Sequence, residues 1–268
     1  MAAPPPLVSR RIHAERLVLL GWSRAILLQL SHPLMAAAMA AHSSFRGGPM
    51  AAANRLRHTV GAMLDLTFGD EAEHARALAG IRSIHNRVNG LLESAVGPFP
   101  KGTPYSANDP DLLLWVHVTL LESVALAHDA FVGPLEPAER DAYCDEAAPT
   151  AISLGARPED VPRTWPALVD RMAAVRASGA LFVGSDAKAV ADAVLSPPLS
   201  AAIWPVAWLN RQFTIATLPD DIRRQYGFEQ QPGSAARLYR ATRFVRGVRR
   251  LTPRAIAQWG RSRGAPRT

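Results

Sequence analysis

Residues 112–121 read LLLWVHVTLL, and this stretch decides the fold. It is so apolar that a helix formed by it must be buried, as part of a longer helical pattern over roughly residues 109–130. His117 is the one titratable residue in the stretch. A buried imidazole costs free energy unless it has a partner. His117 is therefore either a hydrogen-bonded core residue or part of a site.

Apolar residues recur at helical spacing along most of the chain and predict an all-α protein. There is no convincing strand pattern and no internal repeat. We expect one helical domain over residues 1–233, followed by a basic C-terminal helix and tail over residues 234–268. The predicted helices span residues 14–30, 33–44, 50–67, 70–93, 109–130, 136–155, 165–178, 185–195, 200–217 and 234–250.

The composition of the 268 residues, 48% hydrophobic and 20% charged, is that of an ordinary soluble globular protein. The single cysteine, Cys144, cannot form an intramolecular disulfide, which fits a reducing compartment. The first residues do not resemble a signal peptide, and polar residues interrupt every long apolar stretch. We expect a cytoplasmic protein without a membrane-spanning helix.

The net charge of +7 belongs to the C-terminus alone. Residues 222–268 contain 12 Arg and one acid, a net charge of +11, whereas the rest of the chain carries −4. This asymmetry does not support nucleic-acid binding by the whole domain.

Residues 234–251 form a predicted amphipathic helix within that basic region. Four apolar residues share one face and three arginines lie opposite: Ala241, Phe244, Val248 and Leu251 against Arg243, Arg246 and Arg250. Such a helix either docks on the protein with a solvated basic face or contacts an anionic membrane surface. The second alternative would make the protein peripheral at the inner membrane surface.

Other polar residues also suggest sites. His32 precedes Pro33 at the end of an apolar helix, where its ring either caps free backbone groups or lines a site. Arg55, His58 and Thr59 share one helical face, which suits an anion, a propionate or bound oxygen. From this stretch alone, an exposed charged face is the favoured interpretation of those three residues.

Several common catalytic motifs are missing from the sequence. Glu71-x-x-His74 has the spacing of di-iron bundles, but the chain lacks the second such motif. There is no zinc motif, no Gly-rich nucleotide loop after a strand and no Gly-x-Ser-x-Gly. A buried neutral histidine in an all-α protein can be a haem ligand, although a satisfied core histidine is the simpler interpretation of His117.

Seven short motifs follow one another in a specific order. They are LQLSHP at 28–33, HSSF at 42–45, RLRHT at 55–59, FG at 68–69, IHNRVNG at 84–90, YSANDP at 105–110 and WVH at 115–117. The series resembles the domain shared by latex-clearing rubber oxygenases and the MpaB-type oxygenase of mycophenolic acid biosynthesis, in particular its small bacterial stand-alone members. The resemblance is most specific over residues 21–131 and continues more weakly to about residue 254.

The resemblance implies a globin-like helical core that binds haem b. The family's histidine at the position of His85 is the proximal iron ligand, so His85 is the implied metal ligand here. Arg55 and Thr59 match residues of the family's Arg-x-x-Lys-Thr pattern, which lines the haem pocket. His117 corresponds to a pocket position near the haem, and we assign His32 to the same pocket.

Two departures from the family pattern shape the expected function. The first is His58, which stands where the family has a distal lysine. His58 could serve as a distal ligand or as a donor that stabilises bound oxygen, or the role could be lost. The second is that no acid matches the glutamate proposed as the family's catalytic base. We therefore expect a haem-dependent oxygenase that uses O2, with Arg55, His58 and Thr59 as catalytic residues. Its substrate would be small and hydrophobic, with unsaturated, isoprenoid-like molecules among the options, rather than polyisoprene.

Two alternatives remain open at this point. A haem sensor or carrier would use the same His85 without turnover. An all-α DNA-binding regulator is the weaker alternative, since the basic segment lacks the second helix of a helix-turn-helix motif. The sequence does not indicate the oligomeric state.

Overall fold

The structure, a computed structural model, describes residues 7–42, 48–195, 204–229 and 231–263. The α-helices are α1 (Val8–Ala14), α2 (Trp22–Leu30), α3 (Pro33–His42), α4 (Gly48–Phe68), α5 (Glu71–His85), α6 (Pro110–Phe131), α7 (Pro137–Leu154), α8 (Trp165–Ala177), α9 (Ser185–Leu195), α10 (Trp204–Thr217), α11 (Asp220–Tyr226), α12 (Ser234–Leu251) and α13 (Arg254–Ala257). 3₁₀ helices span Arg16–Gly21 and Gly260–Arg263, and strands β1 (Asn89–Leu91) and β2 (Pro104–Ser106) form a hairpin. The all-α prediction is confirmed, and the globin-like arrangement of the core stays a prediction.

Helix α6 is the central helix, and its start is encoded locally. The Asp109 carboxylate accepts hydrogen bonds from the backbone N–H groups of Asp111 at 2.8 Å and Leu112 at 3.2 Å. Pro110 occupies the first turn, where its missing N–H has no cost. Buried residues then lie around most of the circumference of α6. Other helices must therefore cover it on most sides.

The 3₁₀ helix Arg16–Gly21 and α2 cover α6 most closely. A Cβ at Gly21 would lie 2.3 Å from the carbonyl oxygen of Ser123, so only glycine permits this approach. Arg24, 2% exposed, donates to Glu122 Oε2 at 2.7 Å and to Ser123 Oγ at 2.8 Å. The guanidinium is buried but paired, which offsets its desolvation.

The chain breaks the predicted helix over residues 14–30 into α1, the 3₁₀ helix and α2. Glu15 is extended, with φ −77° and ψ 120°, and separates the first two segments. Helix α1 packs instead on α7, where the Glu146 carboxylate accepts from the N–H groups of Val8 at 3.0 Å and Ser9 at 2.7 Å. An acid at a helix N-terminus stabilises the unpaired N–H groups.

The region predicted as one helix over residues 70–93 contains the end of α5 and the first strand of a hairpin. Helix α5 ends at His85, and β1 pairs antiparallel with β2. Gly90 lies opposite Tyr105, and a Cβ at Gly90 would come within 2.5 Å of the Tyr105 hydroxyl oxygen. A side chain at residue 90 would therefore force the Tyr105 ring to move. The sequence prediction missed both strands, because three residues are too few to show an alternating pattern.

Helix α12 docks on the body of the protein. Leu238, Ala241 and Val245 pack against a buried cluster that contains Phe131 of α6 and Phe213 of α10. This is the docking helix foreseen as one of the two alternatives for the C-terminal region, although its orientation differs from the predicted one.

The orientation of α12 is a correction to the predicted apolar face. Ala241 faces the cluster, but Phe244, Val248 and Leu251 are 72%, 48% and 87% exposed. Arg246, predicted on the solvated face, donates to backbone carbonyls at the end of α6.

A buried ion pair explains this rotation of α12. Glu15, 3% exposed, accepts two hydrogen bonds from Arg249 and one from Gln258 Nε2 at 2.7 Å. Leaving the Glu15 carboxylate buried without a partner would be strongly destabilising. With Arg249 turned inward, helix geometry places Phe244 roughly 140° away, toward solvent.

By length and composition, α6 could cross a membrane, but 61% of its most apolar window is buried inside the protein. A core helix passes the same test of length and composition, and α6 is covered as a core helix is.

A buried histidine also connects α1 with α7. The Nε2 atom of His13 lies 3.1 Å from the Tyr143 hydroxyl oxygen. The Nδ1 atom is buried and has no hydrogen-bond partner among the described residues. Burial lowers the pKa of His13 to about 4, so the ring is neutral in the folded protein at neutral pH.

We predict that His13 makes the protein acid-sensitive. Between pH 7 and pH 5 the unfolded imidazole takes up a proton and the folded one does not, so the free energy of unfolding falls as the pH falls. In His13→Phe, which keeps an aromatic ring beside Tyr143, this loss should be smaller by about 2 kcal/mol. Urea unfolding at both pH values measures it. An unchanged difference between wild type and variant would contradict the prediction.

Candidate functional site

His85 lies at the end of a half-buried stripe on α5. A capping box over residues 70–73 fixes the start of the helix. From there His74, Leu78, Ile81 and His85 follow at helical spacing, and all four are half-buried. No residue of α5 is fully buried. The inward side of α5 therefore lacks the dense packing of a core.

The His85 ring has a nitrogen free to bind a ligand. Its Nδ1 is buried, and no hydrogen bond to that atom is present in the described part of the chain. Burial lowers the pKa of His85, so the ring is neutral at neutral pH. A neutral imidazole with an unshared electron pair is the form that binds a metal.

His117 lies in the first half of α6 with an unsatisfied nitrogen. Its Nε2 is buried, and none of the described residues hydrogen-bonds to that atom. Burial lowers the pKa of His117 to about 4. A satisfied core histidine would have a partner at that nitrogen. Its absence favours the alternative in which His117 belongs to a site.

His32 lies at the junction between α2 and α3. Its ring packs against Phe99 with the centroids 5.2 Å apart and the ring planes tilted by 44°, and its Nδ1 is buried with no partner in the described ranges. Burial lowers the pKa of His32 to about 4, although the carboxylates of Asp109 and Asp111 act in the opposite direction. The ring makes no hydrogen bond to a described backbone group, so the capping alternative is not supported.

His32 lines a cavity of about 170 Å³ between α6 and α8. Asp111, Arg171 and Ser178 supply its polar side chains, and none of these residues was a predicted site residue. The pattern around Arg171 and Ser178 resembles any amphipathic surface helix, so no sequence signal could have singled them out.

The cavity does not bring the predicted site residues together. Its lining residues do not include His58, Thr59, His85 or His117. The cavity meets α6 along the face of Trp115 and its neighbours, and His117 points about a third of a turn away from that face. His32 is thereby set apart from the other predicted site residues.

The motif RLRHT lies within α4. The Arg55 side chain lies outside the described residues, as does most of the HSSF motif. His58 and Thr59 are exposed. From Val60 onward α4 becomes half-buried, and Val60 and Met63 pack against the main core. The exposed end of the motif therefore lies where α4 leaves the core.

The donor set suits a haem iron better than a free metal ion. Among the described residues there is no group of three or more His, Cys, Asp or Glu that could hold a metal. Zinc and similar ions need three or four protein ligands, whereas a haem iron needs one or two because the porphyrin supplies the others. Isolated neutral imidazoles with unsatisfied nitrogens, as at His85 and His117, fit the second case.

Comparison with known proteins identifies the family of the chain. The family model of the catalytic domain of the ER-bound oxygenases mpaB/B′ and the rubber oxygenases matches residues 10–250. The chain belongs to this family. Curated proteins and solved structures give no significant match. The family predicted from motif order is thus confirmed, and the match covers both the specific region over residues 21–131 and most of the weaker region predicted to about residue 254.

We predict that the unsatisfied His117 nitrogen weakens the cofactor-free protein. His117→Leu removes a buried polar group without a partner, so it should raise the free energy of unfolding by about 1 kcal/mol. His128 is the matched control on the same helix, because its Nδ1 bonds the Gly133 carbonyl at 2.9 Å. His128→Leu should lower the free energy of unfolding. Equal losses in both variants, measured by urea unfolding, would show that His117 is satisfied.

Proposed function

We propose that this protein is a haem-b-dependent oxygenase that acts with O2 on a small hydrophobic substrate. Membership of the oxygenase family supports the reaction class. The observation that carries the cofactor assignment is the buried, unpaired Nδ1 of a neutral His85, at the position where the family's pattern has its iron ligand. Haem bound at His85 would supply the redox chemistry that activates O2.

In this proposal the residues of α4 bind the polar edge of the cofactor. Arg55 and Thr59 are one helical turn apart, so a guanidinium and a hydroxyl can reach the same carboxylate. The exposure of Thr59 and His58 favours a propionate at the solvent side over a position above the iron. His58 would then add a donor for the same anion, rather than act as a distal ligand.

The surroundings of His117 support an apolar substrate. Residues 113–121 carry no charge, and the Trp115 indole and the Thr119 hydroxyl are already bonded to backbone carbonyls, so a pocket at His117 would offer a substrate mainly dispersion contacts. His117 would contribute a neutral imidazole whose Nε2 has no partner among the described residues. Unsaturated, isoprenoid-like molecules match this chemistry and the rubber oxygenases named for the family.

We predict that haem binding depends on His85. Wild-type protein expressed with a haem precursor should show a Soret band, which His85→Ala should lose and His117→Ala should keep. His74→Ala is the matched control, because His74 lies on the same stripe of α5 and its Nδ1 lies 3.0 Å from the Leu66 carbonyl oxygen. A colourless wild type that takes up no haem in vitro would disprove the proposal. Retention of the Soret band in His85→Ala would show that a residue other than His85 binds the haem iron.

We also predict that the haem-loaded protein turns over. With a reductant and an acyclic terpene, it should consume O2 and form an oxygenated product in which mass spectrometry detects label from ¹⁸O₂. The His85→Ala variant should be inactive in the same assay. Haem binding without substrate-dependent O2 consumption across a panel of apolar alkenes would identify a sensor or carrier instead.

A further inference from the structure

The docking of α12 leaves an apolar stripe open to solvent. Phe244, Val248 and Leu251 follow at spacings of four and three, which places them within roughly 60° of one another around the helix. Ile256 of α13, 64% exposed, is a further exposed apolar residue five positions after Leu251. Single exposed apolar residues are ordinary, but a continuous stripe of this kind marks an interaction surface.

The same segment is strongly and uniformly basic. Residues 234–257 contain no acid. Arg246 and Arg249 point inward to backbone carbonyls and to Glu15. Arg240 and Arg250 remain exposed and form no ion pair with described residues. Their charges are therefore available to an anionic partner.

Charge and polarity together decide between possible occupants. In a symmetric dimer the same stripe would meet itself and place arginines against arginines, which is unfavourable. Nucleic acid would pair with the arginines but leave Phe244 and Leu251 in water. An anionic bilayer satisfies both, because its headgroups bind arginine and its acyl boundary takes up apolar side chains.

We propose that α12 and α13 bind the surface of an anionic lipid bilayer. Phe244, Val248 and Leu251 enter the boundary between headgroups and acyl chains, and Arg240 and Arg250 bind lipid phosphates. The contact uses only the surface that α12 leaves free after it docks. It is thus independent of haem and of the oxygenase reaction.

Co-sedimentation of the full-length protein with vesicles tests the charge component. Wild type should bind vesicles of phosphatidylglycerol and phosphatidylcholine, and should bind pure phosphatidylcholine far more weakly. The double variant Arg240→Gln/Arg250→Gln should lose about 30-fold in partitioning. Each arginine near an anionic surface contributes about 1 kcal/mol, and each 1.4 kcal/mol is about one order of magnitude in the partition coefficient. Arg76→Gln/Arg224→Gln is the matched control with equal net charge, on exposed positions of α5 and α11, and should bind as wild type does.

A second pair of variants tests the apolar component. Phe244→Gln/Leu251→Gln should lose at least about tenfold in partitioning, whereas Val169→Gln, at an exposed position of α8, should not. Circular dichroism verifies that each variant is folded, which is expected because the changed side chains are exposed.

Three results would overturn the proposal. The first is equal binding to neutral and anionic vesicles, or none to either. The second is a wild-type dimer that Phe244→Gln/Leu251→Gln converts to a monomer without any lipid binding, since the stripe would then be a subunit interface. The third is salt-dependent DNA binding that the arginine pair controls while vesicle binding is absent.

Discussion

The need to keep α6 out of water organises the rest of the molecule. Its residues are apolar on most sides, so α1, α2, α7, α8, α12 and the first 3₁₀ helix all pack against it. Close contact requires special residues at particular points. Gly21 allows a backbone approach to Ser123, and the Trp115 indole donates to the Leu28 carbonyl at 3.0 Å.

Buried polar groups on and around α6 differ in whether they have a hydrogen-bond partner. Arg24 and Thr119 are buried on or beside α6, and both have hydrogen-bond partners. His117 on that helix does not, within the described residues, and neither does Nδ1 of His85 on α5. Because an unpaired buried group weakens a fold, these two nitrogens are candidates for contact with a ligand; the other buried atoms without a partner among the described residues belong to His13, Trp22, His32, Thr214 and Trp259.

The sequence predicted those features of the structure that neighbouring residues determine. The Asp109-Pro110 start and the helical period of α6 are visible in the sequence, and the order of seven motifs identified the family. The hairpin and the rotation of α12 were not predictable in this way. The hairpin consists of three-residue strands, and the rotation depends on Glu15, 234 positions before Arg249 in the sequence. The contact between the His32 and Phe99 rings likewise depends on distant segments.

Helix α6 sets the distance between the proposed oxygenase site at His117 and the proposed lipid-binding surface of α12. Arg246 of α12 bonds the Ala130 carbonyl, 13 residues from His117, so about 20 Å of helix separates His117 from the proposed lipid-binding helix. A surface-bound amphipathic helix enters the bilayer by only about 5–10 Å. A site at His117 would therefore lie outside the acyl layer unless α6 ran along the membrane surface. A lipid-dissolved substrate would then have to leave the bilayer before it reacts, which favours a small molecule over a polymer chain.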